Sequence, residues 1–324
     1  MISNKIALEE HFAIEPTLGD SRQFMPAGFW EELRSRLLDI LEQRLRRMDE
    51  AGIEFSILSL NAPAIQALRD PHQAIEVAAR ANEALAEQVT RRPDRFAGFA
   101  ALPMQDPEAA AGELRRCVEA FGFKGALVNG FSDTPDGLGC LYYDQPQYAG
   151  FWTEAAALGV PFYLHPREPL ESQRMIYEGH PWLMGPVWAF GQETAVHALR
   201  LMTSGLFDRH PDLTIILGHL GEGLPFSLWR AEHRLRKFSR GCPAAKPLGE
   251  YFRNNFYITT SGNCRTQALL ATMLEVGADR ILFSTDYPFE EMQEAADWIE
   301  TASISETDRL KIARTNAARL FGLG

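Results

Sequence analysis

Short apolar runs alternate with longer stretches of helical period from one end of the chain to the other. The runs are IALEEH (6–11), IEFSILSL (53–60), FAGFAALP (96–103), GALVNG (125–130), PFYLH (161–165), TIILGH (214–219), FYITTSG (256–262) and RILFSTD (280–286). Each is short and mostly continuous in apolar character, as strands covered on both faces should be. The intervening stretches predict helices. Residues 29–52 place Leu33, Leu37, Leu38, Ile40, Leu41 and Leu45 on one broad apolar face, with Gly52 as the C-terminal cap. Asp106, Pro107 and Gly122 read as N-cap, first helical residue and stop of another helix. Similar helices are predicted over 71–92, 148–159, 192–210, 266–277, 289–301 and 305–321, and RAEHRLR also reads as helical. Alternation of this kind gives an α/β fold with a parallel sheet, and a count of eight strands predicts a closed (β/α)8 TIM barrel. A single domain over 1–324 is expected. No GxGxxG follows the first run, which argues against an open dinucleotide-binding sheet.

Two long connections stand out, residues 13–28 after the first strand and 166–191 after the fifth. The second is rich in Pro, Trp and Tyr, and stretches of that length form lids or binding walls. Composition leaves this picture unchanged: 46% hydrophobic and 23% charged residues are ordinary globular values. The net charge of −11 disfavours nucleic acid or an anionic membrane as partner, but allows a small anionic substrate in a locally basic site. Cys117, Cys140, Cys242 and Cys264 are widely spaced and form no CxxC pair, so reduced thiols are expected. No signal-peptide pattern opens the chain, and no run approaches the roughly 18 apolar residues of a membrane span. A cytoplasmic location is therefore expected.

The chemistry is read from the strand ends, where this fold carries its sites. The first strand ends Glu9-Glu10-His11, and a period of two puts Glu9 and His11 on one face with Ala7. The fifth ends at His165, the sixth at His219 and the eighth at Asp286. Each residue alone has a structural reading: a hydrogen-bonded histidine, a salt-bridged glutamate, or an aspartate capping the helix at 289. Brought to one level of one barrel, two imidazoles and two carboxylates suit a first-row divalent ion such as Mn²⁺ or Zn²⁺. His72, His197 and His210 are expected in surface or capping roles and His233 in a structural one. His180, in the loop after the fifth strand, is equally open to a substrate contact or a surface position.

At these residues the chain resembles the amidohydrolase superfamily. Within it the resemblance is to the non-oxidative aromatic-acid decarboxylases, above all the branch acting on γ-resorcylate (2,6-dihydroxybenzoate). It extends over essentially the whole chain through KIALEEHFAI, RPDRFAGFAALPMQDPEAA, GFKGALVNGFS, PFYLHPREPL, YEGHPWLMGPVWAFGQETAVHALRLM, IILGHLGEGLP and ADRILFSTDYPFE. The usual superfamily opening is HxH, with a carboxylated lysine ending strand four in two-metal members. Here the opening is Glu9-x-His11 and strand four ends at Asn129, which implies one metal ion per subunit, with Mn²⁺ favoured over Zn²⁺. The resemblance implies Glu9, His11, His165 and Asp286 as metal ligands, and His219 with Glu222 as a hydrogen-bonding pair beside Asp286 and the substrate. It implies Arg230, Asn129, Phe24, His180 and Phe190 as pocket residues, and a homotetramer. Tyr287 stands where tryptophan is expected in many relatives.

The implied reaction turns a small aromatic carboxylate into a phenol and CO₂ without an organic cofactor. Direct loss of CO₂ from a benzoate leaves an aryl anion that the π system cannot stabilise. Protonating the carboxyl-bearing carbon first avoids this, and an ortho phenolate supplies the electrons. Asp286 is the expected proton donor, with His219 and Glu222 relaying. Hydrolysis of a lactone or amide by the same ligands, with Asp286 as general base, is the alternative; aromatic residues such as Phe24, Trp188 and Phe190, suited to sandwiching a flat ring, favour the decarboxylase.

Overall fold

The computed structural model describes residues 4–24 and 28–323. The eight apolar runs become eight strands: β1 (Lys5–Phe12), β2 (Ile53–Leu60), β3 (Phe96–Gly98), β4 (Ala126–Asn129), β5 (Phe162–His165), β6 (Ile215–Leu217), β7 (Phe256–Thr259) and β8 (Ile281–Leu282). All pair in parallel, β1–β2–β3 in one ladder and β4–β5–β6–β7–β8 in the other. Single bridges join the two ladders at both seams, Ala100 with Ala126 and Leu8 with Ser284. Ala100 N donates to Gly125 O at 2.8 Å and Leu8 N to Phe283 O at 3.3 Å, so the sheet closes on itself.

The barrel is filled, as the fold requires. Ile6, Leu8, Ile57, Ala97, Phe99, Leu127, Tyr163, Ile216, Tyr257 and Leu282 form one interior cluster. The chain's last helical turns join it through Ala317 and Phe321, with the Phe321 ring 5.8 Å from Phe99. A larger apolar layer lies between strands and surrounding helices and includes Ala7, Met48, Ala78, Leu85, Leu114, Phe162, Leu201 and Ile299.

Most helices stand where the periodicity predicts them, including Pro71–Arg91 and Pro107–Phe121. Asp106 Oδ1 accepts from the amides of Glu108 and Ala109 at 3.0 Å, and Gly122 ends that helix at φ 67°. The stretch 29–52 is two helices, Trp30–Leu38 and Gln43–Ala51. Asp39 causes the break: its carboxylate accepts from the amides of Glu42, Gln43 and Arg44 and so starts a new helix. The expected 192–210 helix likewise divides into Ala189–Thr203 and Leu206–Arg209 around Gly205, at φ 74°. Leu248–Asn255 is a helix the periodicity did not mark.

The two long connections are folded. The first contains Glu15–Leu18 and a 3₁₀ turn over Gly19–Phe24. The second contains 3₁₀ turns at Glu171–Tyr177, Pro181–Leu183 and Gly185–Val187. Among the described residues no helix is long and apolar enough to cross a membrane.

Candidate active site

Strand β1 does not keep the simple alternation. Between Ala7 and Glu10 its register slips by one residue against β2, and Glu9 sits at φ 61°. A bulge with a left-handed residue inverts the facing of everything after it. Before Glu9, Ile6 and Leu8 face the barrel interior while Ala7 packs in the outer layer. Beyond the bulge Glu9 and His11 both turn inward, so Ala7 does not share their face as a strict period of two predicts.

The bulge brings Glu9 and His11 to His165 and Asp286, with one donor atom of each within 4.8 Å of the others. His165 Nε2 lies 3.3 Å from Glu9 Oε1, and His11 Nε2 lies 3.4 Å from Asp286 Oδ1. Glu9 is held through its other oxygen. Oε2 accepts from Tyr163 OH, from Ser261 Oγ at 2.6 Å and from Thr259 Oγ1 at 3.4 Å. Gly218 makes room for this cradle, since a Cβ there would lie 2.8 Å from Glu9 Oε2. Ser59 Oγ stands 3.2 Å from His11 Nδ1 and fixes that ring.

Glu9 Oε1 and His11 Nε2 are buried and lack hydrogen-bond partners. Buried polar atoms left unpaired are costly, and two that face each other across a cluster of imidazoles and carboxylates fit a divalent cation. Burial pushes the Glu9 carboxyl up to about 7 and the His165 imidazole down to about 4, and lowers His11. Neutral imidazoles are the form that binds metal.

His219 lies two residues beyond β6 at φ 51°, and Asp286 four beyond β8 at φ 67°. His219 Nδ1 bonds Glu222 Oε1 at 2.7 Å, while its Nε2 is 3.4 Å from Glu9 Oε1 and 3.7 Å from Asp286 Oδ2. Burial opposes charge on His219, yet Glu222 and Glu9 outweigh it and raise the imidazole well above its usual value. Burial also opposes charge on Asp286, and the His11 and His219 imidazoles beside it overcome that, holding the carboxyl well below its usual range. Asp286 does not cap the following helix, which starts at Met292 behind Glu291.

A cavity of about 160 Å³ opens on this cluster. His165, His219 and Asp286 line its reactive side, Ala62, Pro186, Phe190 and Phe289 its apolar sides, and Glu290 adds a carboxylate. Phe190 is thus where the sequence places it. Phe289 and Glu290 were not singled out from sequence; the signal was their position just after Asp286.

Asn129 is buried outside the lining: its Nδ2 donates to Asn61 O at 3.1 Å and Pro63 O at 3.3 Å, while Oδ1 has no partner. Arg230 is exposed on the helix Leu224–Lys237, and His180 is exposed beside Trp182, rings 5.3 Å apart. Neither lines the cavity, nor does Trp188, which is 55% exposed. The side chain of Phe24 lies outside the described residues. His197 corrects the expectation of a surface role: it is buried among Tyr142 and Tyr143, and Nε2 accepts from Tyr143 N at 3.2 Å.

A family model described as amidohydrolase matches residues 34–323. The chain belongs to the amidohydrolase family. It is 61% identical to a γ-resorcylate decarboxylase of Rhizobium sp., over 99% of both chains. It also matches the solved structure of a 2,6-dihydroxybenzoate decarboxylase complexed with 2,6-dihydroxybenzoate, with a TM-score of 0.98 and 61% identity over 99% of this chain and 100% of that one. A dihydroxybenzoic acid decarboxylase from Polaromonas sp. JS666, solved with bound manganese and the inhibitor 2-nitroresorcinol, matches with a TM-score of 0.97 and 62% identity over 99% and 98%. The resemblance read from the motifs is borne out.

Proposed function

We propose that this amidohydrolase catalyses the metal-dependent, non-oxidative decarboxylation of 2,6-dihydroxybenzoate to resorcinol and CO₂, making it a carboxy-lyase. The observation that carries the reading is a one-ion donor set opening on a small, largely apolar cavity with phenylalanines at its walls. Relatives at about this identity include proteins solved with this substrate and with manganese.

Glu9, His11, His165 and Asp286 would hold one divalent ion, Mn²⁺ in the first instance, as Lewis acid and anchor for the substrate's ortho oxygen and carboxylate. Phe190 and Phe289 confine the ring. The proton starts on the His219 imidazolium and passes through the ionised Asp286 carboxylate, whose Oδ2 lies 3.7 Å from His219 Nε2, to the carboxyl-bearing carbon. The C–C bonding electrons then return to the ring as CO₂ departs. Glu222 holds the proton on His219, from which Asp286 is recharged. Running the same steps backwards carboxylates resorcinol at high bicarbonate.

Arg230 and His180, outside the cavity lining of the single chain, have no step in this scheme. Met175, Ile176, Trp182, Val187 and Trp188 in the 166–191 segment are each exposed, which suits a subunit interface in the homotetramer that is part of this reading, as is a cytoplasmic location.

One assay tests the activity. Mn²⁺-loaded protein is given 2,6-dihydroxybenzoate, and loss of substrate absorbance is followed with resorcinol identified chromatographically. Stoichiometric resorcinol is expected. Absence of turnover combined with cleavage of an aromatic lactone would replace the reading with hydrolysis.

A further inference from the structure

The ligands come from two ends of the chain, and they meet only because the barrel closes between β1 and β8. That seam is weakly built by backbone. Strand β8 covers only Ile281–Leu282, and a single bridge, Leu8 with Ser284, joins it to β1. Beyond Ser284 the chain must still carry Asp286 to within 3.4 Å of His11 Nε2.

A side chain takes over where the ladder stops. Glu10, fully buried between the ligands Glu9 and His11, reaches across the seam. Its Oε1 accepts from Thr285 N at 2.9 Å and its Oε2 from Thr285 Oγ1 at 2.6 Å. Ser284 Oγ adds a longer contact to Oε1 at 3.5 Å. His11 N donates to Tyr287 O at 2.7 Å on the far side of Asp286. Asp286 is thus bracketed by a side-chain bond at residue 285 and a backbone bond at residue 287. Behind the bracket, Arg44 is wholly buried, donates through Nη2 to His11 O and lies 4.9 Å over the Tyr287 ring. Glu10 is neither among the residues lining the cavity nor among the cluster's donors.

We propose that Glu10 is a positioning residue: its carboxylate clamps Thr285 across the β1–β8 seam and sets the spacing of Glu9 and His11 against Asp286. The proposal rests on the metal reading of the cluster. Outer-shell groups that orient ligands in this way change metal affinity about 10–100-fold when removed.

The test is direct titration of metal-free protein with Mn²⁺, alongside the melting temperature of the metal-free form. Glu10→Ala removes every clamp bond, and its Kd for Mn²⁺ is expected to rise about 10–100-fold. Thr285→Val removes only the hydroxyl bond and is expected to give a smaller rise, about 3–10-fold. The effect of Thr285→Val should vanish in the Glu10→Ala background, since both remove the same contact. Glu10→Gln, which keeps an acceptor for Thr285 N, should recover part of the loss. A purely structural role would lower the melting temperature and leave Kd unchanged well below it, and that result overturns the proposal. If Glu10→Ala does not fold, unchanged Mn²⁺ affinity in Thr285→Val and Glu10→Gln overturns it equally. Failure of the unsubstituted protein to bind Mn²⁺ would instead remove the metal reading, and this proposal with it.

Discussion

Glu222 offers the sharpest test of the proton path. Its Oε1 lies 2.7 Å from His219 Nδ1, with the carboxylate side chain 4% exposed and the imidazole 25%. A hydrogen bond of this kind to a charged group contributes about 1.5–3 kcal/mol, against about 1 kcal/mol for a neutral one. The part-exposed imidazole argues for the lower half of that range. Glu222→Gln keeps the size and an acceptor but loses the charge, a change of about 1 kcal/mol, or roughly fivefold. Glu222→Ala leaves Nδ1 without its partner, about 2 kcal/mol, or roughly 30-fold. Because the interaction is used in moving the proton, the loss is expected in kcat, with KM and Mn²⁺ affinity nearly unchanged. The assay is initial rates on 2,6-dihydroxybenzoate over a range of concentrations at saturating Mn²⁺, with metal content measured on the same samples. If kcat stays within twofold in both variants, or the whole loss falls in KM or metal retention, the relay through His219 is wrong.

Three further outcomes are expected. Tyr163→Phe takes one of three hydroxyl donors from Glu9 Oε2, and should weaken Mn²⁺ binding about 3–10-fold while saturating metal restores kcat; unchanged affinity would contradict the cradle. Stripping the ion with a chelator should abolish turnover and lower stability by about 2.7 kcal/mol relative to protein in Mn²⁺ at roughly 100 times Kd, both reversed by Mn²⁺; a calorimetric melt unmoved by metal would refute this. Burial, with help from Arg200, lowers His197 to about 3, so the folded form stays neutral where the unfolded chain takes up a proton. Stability contributed by the neutral ring is therefore full above about pH 6.5 and is lost as pH falls toward 3, by about 1.4 kcal/mol per unit. In His197→Gln that component should be missing, giving a shallower acid limb in denaturant melts; parallel profiles for the two proteins would contradict it.

The barrel was legible because its strands are buried on both faces and so write continuous apolar runs into the chain. His165 was legible for the same reason: it ends a four-residue strand with no irregularity before it. Asp39 shows the limit of periodicity. The apolar face continues through Leu38, Ile40 and Leu41, but the two carboxylate oxygens of Asp39 capture three amides and the helix restarts. His197 illustrates another limit, since helical spacing does not say which face meets a neighbour. Its burial depends on Tyr142 and Tyr143, which arrive from a distant part of the chain. Arg230 is a pocket residue only by the family resemblance, and in the single chain its helix presents it to solvent.

The site residues share a feature that explains why alternation misread β1. Glu9, His219, Glu222 and Asp286 all have positive φ, between 51° and 67°. None is glycine, and such a conformation costs on the order of 1 kcal/mol or more for each. The folded chain offsets that cost locally. His219 N donates to Ser261 Oγ at 3.1 Å and Leu220 N to Thr259 O at 2.9 Å, while Phe289 N and Glu290 N both reach Asp286 O. Ser261 and Thr259 also hold Glu9, so the end of β7 and the loop after it support the donor cluster and the His219–Glu222 pair together without adding a donor to the cluster. A left-handed residue at or just beyond the end of a strand leaves the regular ladder, and at Glu9 and Asp286 it is that residue's own side chain that joins the donor cluster. Patterns that identify strands assume regular backbone, and the chemistry here is built from the places where the backbone departs from it.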